Sequence, residues 1–153
     1  MTTEQAILGK IQNPHLHAAV TIKITNAWLC KLQDDFFKTY QLTHQQFNIL
    51  RILKGQHPKS VSIMDIKRRM IDKMSNVGRL VGKLQQKKLV ERVEGTNDRR
   101  LIFVHLTEAG LNLLAEINLI HADTMQGYVN NIAEDEAVEL VRILEKMRVK
   151  PVV

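Results

Sequence analysis

Apolar residues that lie four positions apart mark the N-terminal third of the chain. The spacing connects seven residues: Leu16, Val20, Ile24, Trp28, Leu32, Phe36 and Tyr40. It predicts one long helix with an apolar stripe along its length. Pro14 lies near the predicted start, where proline is tolerated. Because such a stripe drifts slowly around a long helix, we expect more than one neighbouring element to cover it.

A capping box at Thr43–Gln46 introduces the next helix. Three of its apolar residues share one face and are predicted to be buried: Phe47, Leu50 and Leu53. Gly55 and Pro58 mark its predicted end, because glycine ends helices readily and proline cannot continue them.

Two short helices are predicted after this one. Ser62 is the expected cap of the first, which runs through Met70. Asp72 and Ser75 are the candidate caps of the second, which extends to about Lys88. The inward face of this second helix carries Val77, Leu80, Val81 and Leu84 at helical spacing.

The period of the pattern changes after Lys88. Residues 89–94 and 101–106 are rich in β-branched and apolar side chains, and turn-forming residues lie between them. This predicts a β-hairpin with a polar, basic tip. Thr107 is the expected cap of a further helix that ends between Tyr128 and Ile132, and a last helix should run from about Glu134 to Arg148.

Positive charge is concentrated in the middle of the chain. Residues 51–100 contain 14 Lys and Arg against 5 Asp and Glu, whereas the rest of the chain has 8 and 11. The net charge of +6 therefore comes from this block. Such a block is typical of a module that binds a polyanion, although charge alone fits a solvated surface equally well.

The order of helix, short helix, helix and hairpin predicts a winged helix-turn-helix, in which the second helix of the pair lies in the major groove of DNA. The fold class is therefore mainly α with a small β-hairpin wing. Once the apolar stripe is subtracted, the outward face of that helix carries Ser75, Asn76, Arg79 and Lys83, with Lys87 further along. Asn can pair with adenine and Arg with guanine, and Gly78 would let the helix backbone approach DNA closely. The alternative is a polar outer face without a ligand.

The predicted hairpin tip adds three charged residues: Asp98, Arg99 and Arg100. A cationic loop on a thin ribbon can enter a narrow minor groove, and a nearby aspartate would orient one of the arginines. Taken alone, a charged and solvated turn explains these residues better.

Two motifs in this region resemble the MarR (multiple antibiotic resistance regulator) family. Asp98-Arg99-Arg100 followed by Leu106-Thr107-Glu108-Ala109-Gly110 matches the family's Asp-x-Arg and Leu-Thr-x-x-Gly. The recognition-helix stretches 77–84 and 87–92 are also similar. One departure is Lys88, where the family usually has glycine, so this lysine must take a left-handed conformation or end the helix differently.

The resemblance implies a homodimer with interlocking N- and C-terminal helices and two DNA-reading lobes on a pseudo-palindromic operator. It divides the chain into an N-terminal dimerisation region (1–42), a winged helix-turn-helix lobe (43–107) and C-terminal dimerisation helices (108–153). By position, Arg100 resembles the wing arginine that enters the minor groove and Asp98 the residue that braces it. Family members are often released from DNA by a small aromatic ligand. Three residues of the first helix are candidates to line such a pocket, although core or dimer contacts explain them more simply: Trp28, Leu32 and Phe36.

Other chemistries have weaker support. Cys30 is more simply a small buried residue than a redox sensor, although Lys31 beside it would lower its pKa if it were exposed. The six histidines lack ligand spacing, so we expect no metal site and no cofactor. No nucleophile elbow, Gly-rich phosphate loop or H-E-x-x-H motif predicts an enzyme. A single cysteine, no visible secretory signal and no long apolar run favour a cytoplasmic protein without a membrane partner.

The sequence therefore predicts a dimeric transcription regulator, more simply a repressor than an activator, that binds double-stranded DNA and has no catalytic residues. The first alternative is a protein-interaction module that kept the winged-helix scaffold without specific DNA binding. The second is a ligand-binding or redox-sensing enzyme subunit. A basic outward helix face argues against the first, and the absence of catalytic motifs argues against the second.

Overall fold

The computed structural model describes residues 2–149, and in that range the chain forms seven helices and three short strands. In chain order they are α1 (Thr3–Leu8), α2 (Pro14–Lys38), α3 (His44–Gln56), β1 (Val61–Ser62), α4 (Ile63–Arg69), α5 (Val77–Gln86), β2 (Val90–Glu94), β3 (Ile102–Leu106), α6 (Glu108–Tyr128) and α7 (Glu134–Met147). The predicted class, mainly α with a small β wing, is confirmed. None of the helices among the described residues is both long and apolar enough to span a bilayer.

Packing divides the chain into two units, Met1–Leu119 and Ile120–Val153, with the boundary inside α6. The first unit contains α1 to α5, the strands and the start of α6. The division into dimerisation regions and a DNA-binding lobe depends on a partner chain and stays a prediction.

The long helix α2 spans nearly the predicted length, but its apolar stripe is only partly buried. Asn13 caps it by accepting the backbone N–H groups of His15 and Leu16 at 2.9 and 3.2 Å. Leu16 is 55% exposed and Trp28 46% exposed. The buried residue of α2 is Phe37, which lies outside the predicted stripe. The expected cover over the stripe is therefore missing at both Leu16 and Trp28 in this single chain.

The core of the first unit forms where α2 meets α3. Thr43 and Gln46 form the predicted capping box, in which the Gln46 side chain accepts the Thr43 N–H at 3.0 Å. The predicted residues Phe47, Leu50 and Leu53 are buried, and the Phe47 ring stacks on Phe37 with centroids 4.4 Å apart. The helix continues through Gly55 and ends at Gln56, so Gly55 is not its end.

The predicted hairpin is part of a three-stranded antiparallel sheet in the order β1-β3-β2. In the hairpin, Val90 pairs with Leu106 and Glu94 with Ile102, which places the connection at residues 95–101, one residue longer than predicted. The sequence did not predict β1, in which Val61 pairs with Val104. This two-residue strand exists because β3 offers it a partner edge, which is a tertiary contact and leaves no periodic pattern.

The second unit is described from the end of α6 through α7. The acidic first turn of α7 includes Glu136, whose carboxylate accepts the Ala133 N–H at 2.8 Å. Negative charge at the start of a helix also complements the helix dipole. No residue of α7 is buried, and several of its large apolar side chains are exposed, among them Val138 at 66% and Val141 at 55%.

Candidate nucleic-acid interface

The helix α5 has two clearly different faces. Val77, Val81 and Leu84 are buried, whereas the side chains of Arg79 and Lys83 are exposed. The predicted division between an inward and an outward face is therefore confirmed. The outward face presents two cationic side chains, which can donate hydrogen bonds to phosphates or base edges.

The start of α5 differs from the prediction. Asn76, not Asp72 or Ser75, is the N-cap, and its Oδ1 accepts the backbone N–H of Arg79 at 3.1 Å. The two predicted caps and the observed one lie within five residues, and only the folded turn distinguishes them. Since an amide oxygen has two lone pairs, Asn76 keeps one for a ligand.

Ser75 is a correction to the predicted DNA-contacting set. It is 6% exposed, because the turn before the cap directs its side chain inward. Its backbone N–H donates to the Asp72 carbonyl at 3.3 Å, which holds it in this position. A buried hydroxyl cannot reach a phosphate or a base edge, so the set is reduced to the exposed residues.

The end of α5 resolves the departure at Lys88. This residue takes the left-handed conformation with φ 59°. The Lys88 N–H donates to the Gln85 carbonyl at 2.9 Å and the Leu89 N–H to the Leu84 carbonyl at 3.1 Å, which is a Schellman motif. The lysine therefore takes the conformation usual for glycine at this place, at a cost of about 1–2 kcal/mol.

The start of α6 packs directly on this turn. Thr107 donates its N–H to the Leu89 carbonyl at 3.1 Å and its hydroxyl to the Lys88 carbonyl at 2.7 Å. The same hydroxyl caps α6 by accepting the Gly110 N–H at 3.1 Å, as predicted. A Cβ at Gly110 would lie 2.2 Å from the Leu89 carbonyl oxygen. Thus the Leu-Thr-x-x-Gly motif fixes the end of α5 to the start of α6.

The tip of the wing brings Asp98 and Arg100 together. Asp98 Oδ1 accepts the backbone N–H of Arg100 at 2.9 Å and lies 3.8 Å from its Nε. The Arg100 side chain is nevertheless 95% exposed, and Arg99 is exposed beside it. The aspartate therefore orients an arginine whose guanidinium remains available to a ligand.

An arginine that the sequence analysis did not identify connects the wing to α5. Arg92 on β2 donates from Nη2 to the Gly78 carbonyl at 2.6 Å, and the same nitrogen lies 3.5 Å from where a Cβ of Gly82 would be. Gly78 and Gly82 lie one turn apart on α5. No sequence pattern links Arg92 to them, because the bond joins residues 14 positions apart on different elements. The strand and the helix are thereby held as one surface.

Comparison with known proteins finds similarity to one family of transcription regulators. A model of the MarR family matches residues 42–102. The HTH-type transcriptional regulator MgrA of Staphylococcus aureus is 29% identical over 111 residues, which are 72% of this chain and 73% of MgrA. Over residues 42–102 the chain is similar to the MarR family.

Solved structures share the fold of this chain. A putative MarR-like transcription regulator from Bacillus cereus has a TM-score of 0.79 at 19% identity, covering 88% of this chain and 95% of that one. A mutant MarR from E. coli in complex with operator DNA has a TM-score of 0.76 at 21% identity, covering 97% and 99%. Bordetella bronchiseptica BpsR, whose DNA binding is regulated by 6-hydroxynicotinic acid, has a TM-score of 0.75 at 22% identity, covering 85% and 97%. At these identities the likeness concerns the fold.

The three residues predicted to line a ligand pocket, Trp28, Leu32 and Phe36, lie on α2. Trp28 is half exposed, and Phe36 packs edge-on against Phe37 with centroids 4.9 Å apart. A cavity of about 380 Å³ lies elsewhere in the first unit. Its lining comes from the α2–α3 connection and the end of α5: Lys38, Gln41, Leu42, Thr43, Gln46, Lys83, Gln86 and Lys87. The role of Trp28, Leu32 and Phe36 stays a prediction.

Cys30 is neither fully buried nor activated. Burial, and then the charges of Asp34 and Asp72, raise the pKa of its thiol. Lys31, which would lower that pKa in the redox-sensor alternative, forms an ion pair with Asp35 at 2.6 Å instead. The raised pKa argues against that alternative. Within residues 2–149 no group of three or more His, Cys, Asp or Glu is placed to hold a metal ion.

Proposed function

We propose that this protein is a sequence-specific transcription regulator that binds duplex DNA, with α5 in the major groove and the wing in an adjacent minor groove. The observation that carries the proposal is the one-sided α5, which exposes Arg79 and Lys83 opposite a buried face. The hydrogen bond from Arg92 to Gly78 holds the wing to this helix. The structural likeness to a MarR bound to operator DNA supports the same arrangement.

Arg79 and Lys83 are the proposed major-groove contacts. An arginine can bond the O6 and N7 of guanine with two parallel hydrogen bonds, and a lysine can bond a phosphate or a base edge. Asn76 contributes through the second lone pair of its capping oxygen. The proposed contacts in full are Asn76, Arg79, Lys83, Asp98, Arg99 and Arg100.

Arg100 is the proposed minor-groove contact. A narrow minor groove has an enhanced negative potential, which favours an inserted arginine. Asp98 Oδ1 accepts the backbone N–H of Arg100 at 2.9 Å, so less backbone freedom is lost on binding. Arg99 would neutralise a neighbouring phosphate.

A homodimer is the proposed form of the protein. Within the second unit, α7 has no buried residue and exposes Val138 and Val141. Within the first unit, α2 exposes Leu16 and Trp28. Large apolar side chains left in water favour burial against another chain. A two-fold dimer would place its half-sites about 10 bp apart on a pseudo-palindromic operator, one turn of the double helix.

Repression and release by a small aromatic ligand complete the proposal. A dimer that covers its operator excludes other proteins from the same DNA, which makes repression the simplest effect. The regulation of the structurally similar BpsR by 6-hydroxynicotinic acid supports an aromatic effector class. Titration of such acids into the protein–DNA complex, followed by fluorescence anisotropy, tests this part separately.

The main experiment is fluorescence anisotropy of the purified protein on duplexes enriched from a random library. Salt is titrated and unrelated duplex is added in excess. We expect a complex that survives the competitor and weakens steeply with salt, because bound Lys and Arg release counterions. Equal competition by unrelated DNA would contradict sequence specificity. No binding at low salt would contradict DNA binding altogether and favour an interaction module on the winged-helix scaffold.

A further inference from the structure

Two large apolar side chains are almost fully exposed on the turn between α4 and α5. Ile71 is 87% exposed and Met74 is 91% exposed. The flanking residues Met70 and Ser75 are 1% and 6% exposed, so the exposed turn lies between two buried residues. Apolar side chains held in water at the start of a candidate DNA-reading helix call for a partner.

The turn is held in place by polar contacts to α3. Asn48 Oδ1 accepts the Ile71 N–H at 3.0 Å. Asp72 Oδ1 accepts the Met74 N–H at 2.9 Å, while its other oxygen accepts from Gln45 at 2.9 Å. The bonds that the Asp72 carboxylate accepts, first from the Met74 N–H and then from Gln45, lower its pKa. The two apolar side chains therefore project from a fixed backbone, which reduces the entropy lost when a partner binds.

The surroundings of the pair favour a polyanionic partner. The exposed cations on α4, the turn and α5 include Lys67, Arg68, Arg69, Lys73 and Arg79. A protein partner matched to the apolar pair would have to cover these charges as well. DNA accommodates both features, since its phosphates face the cations and its major groove carries one apolar group, the 5-methyl of thymine.

Building on the proposed function, we propose that Met74, with Ile71 on the same turn, contacts thymine methyl groups in the major groove and so selects T over C at fixed operator positions. The N-terminal end of a recognition helix is the part that approaches base edges. Met74 lies two residues before the cap of α5, at that end. Its unbranched, polarisable thioether adapts well to a small apolar group.

Replacing thymine by deoxyuridine tests this directly, because it removes the methyl group and keeps the hydrogen-bonding groups. Each T of the enriched duplex is replaced singly, and affinity is measured by fluorescence anisotropy. Burial of one methyl group corresponds to about a fourfold change in affinity. We expect the wild-type protein to lose about this factor at one or more T positions in each half-site and nothing at T positions in the flanks.

Variants of the turn residues test whether Met74 and Ile71 cause the preference for T over deoxyuridine. Met74→Ala should bind the T and deoxyuridine duplexes equally at the sensitive position, and Ile71→Ala identifies any second position. The matched control is Lys73→Ala, which should weaken both duplexes by the same factor and keep their ratio. Because Met74 is exposed, its replacement should leave the thermal unfolding midpoint unchanged, which circular dichroism checks.

Three results would overturn the inference. In the first, the wild-type protein binds T and deoxyuridine duplexes equally at every position. In the second, the preference for T persists in both Met74→Ala and Ile71→Ala, which assigns it to other residues. In the third, no sequence is enriched from the library, which contradicts the proposed function together with this inference. The first two results leave specific DNA binding intact. Failure of this inference is therefore distinguishable from failure of the proposed function.

Discussion

Substitution of Gly110 by alanine tests how α6 is fixed to the end of α5. An added Cβ would lie 2.2 Å from the Leu89 carbonyl oxygen and 3.1 Å from Leu106 Cδ2, whereas ordinary contact begins at 3.4 Å. Since the nearest obstacle is backbone, no side-chain rotation can relieve the overlap. The start of α6 must move away from the turn by about 1 Å, a shift of the size that well-packed interiors resist.

The magnitude follows from the contacts that this movement breaks. Overpacking costs about 1–3 kcal/mol. The two bonds from Thr107, to the Leu89 carbonyl at 3.1 Å and to the Lys88 carbonyl at 2.7 Å, would lengthen beyond hydrogen bonding. Each contributes about 1 kcal/mol, while alanine recovers about 1 kcal/mol of helix propensity. We therefore expect Gly110→Ala to lower the free energy of unfolding by about 3 kcal/mol.

Urea unfolding followed by circular dichroism at fixed protein concentration measures this loss. The matched control is Gly55→Ala on α3, where an added Cβ meets nothing within 4 Å. The same substitution should there stabilise the protein by up to about 1 kcal/mol. An unfolding midpoint for Gly110→Ala at or above that of the wild-type protein would refute the argument.

Three further predictions concern the interface and the thiol. Asn76→Ala should cost about 1 kcal/mol of stability in urea unfolding because α5 loses its cap, and Asn76→Asp should keep it; equal losses in the two variants would contradict the capping role. Arg92→Met should lower stability by about 1 kcal/mol by removing the bond to Gly78, and hydrogen exchange at the wing should accelerate; unchanged exchange would show that this bond does not hold the wing. Cys30 should react with iodoacetamide at pH 8 more slowly than free cysteine. Burial and then Asp34 raise the pKa of its thiol, which lowers the fraction present as reactive thiolate. A faster reaction would contradict the raised pKa.

Features determined by local chemistry were predictable from the sequence. The capping box at Thr43–Gln46, the cap at Ser62 and the hairpin turn depend on residues within a few positions of one another. The left-handed conformation of Lys88 was one of two alternatives that local sterics allowed. Each of these was confirmed because the signal and the structure share the same short stretch of chain.

Features determined by tertiary contact were not predictable. Val61 forms a strand because β3 lies beside it, and Ser75 is buried because the turn folds over it. The bond between Arg92 and Gly78 joins residues 14 positions apart on different elements. The stripe on α2 also depends on tertiary contact. An apolar pattern indicates burial but does not show which element or chain covers it, and Trp28 remains half exposed in one chain.

The central claim, that α5 and the wing read DNA together, is tested most directly by the affinity of Arg100→Ala for the enriched duplex. The matched control is Arg142→Ala, which removes the same charge from α7, where Arg142 pairs with Glu139 at 2.6 Å. We predict that Arg100→Ala binds at least about tenfold more weakly, whereas Arg142→Ala stays within about twofold, with both variants keeping the oligomeric state of the wild-type protein. Equal affinities for the two variants would contradict the claim that the wing contacts DNA.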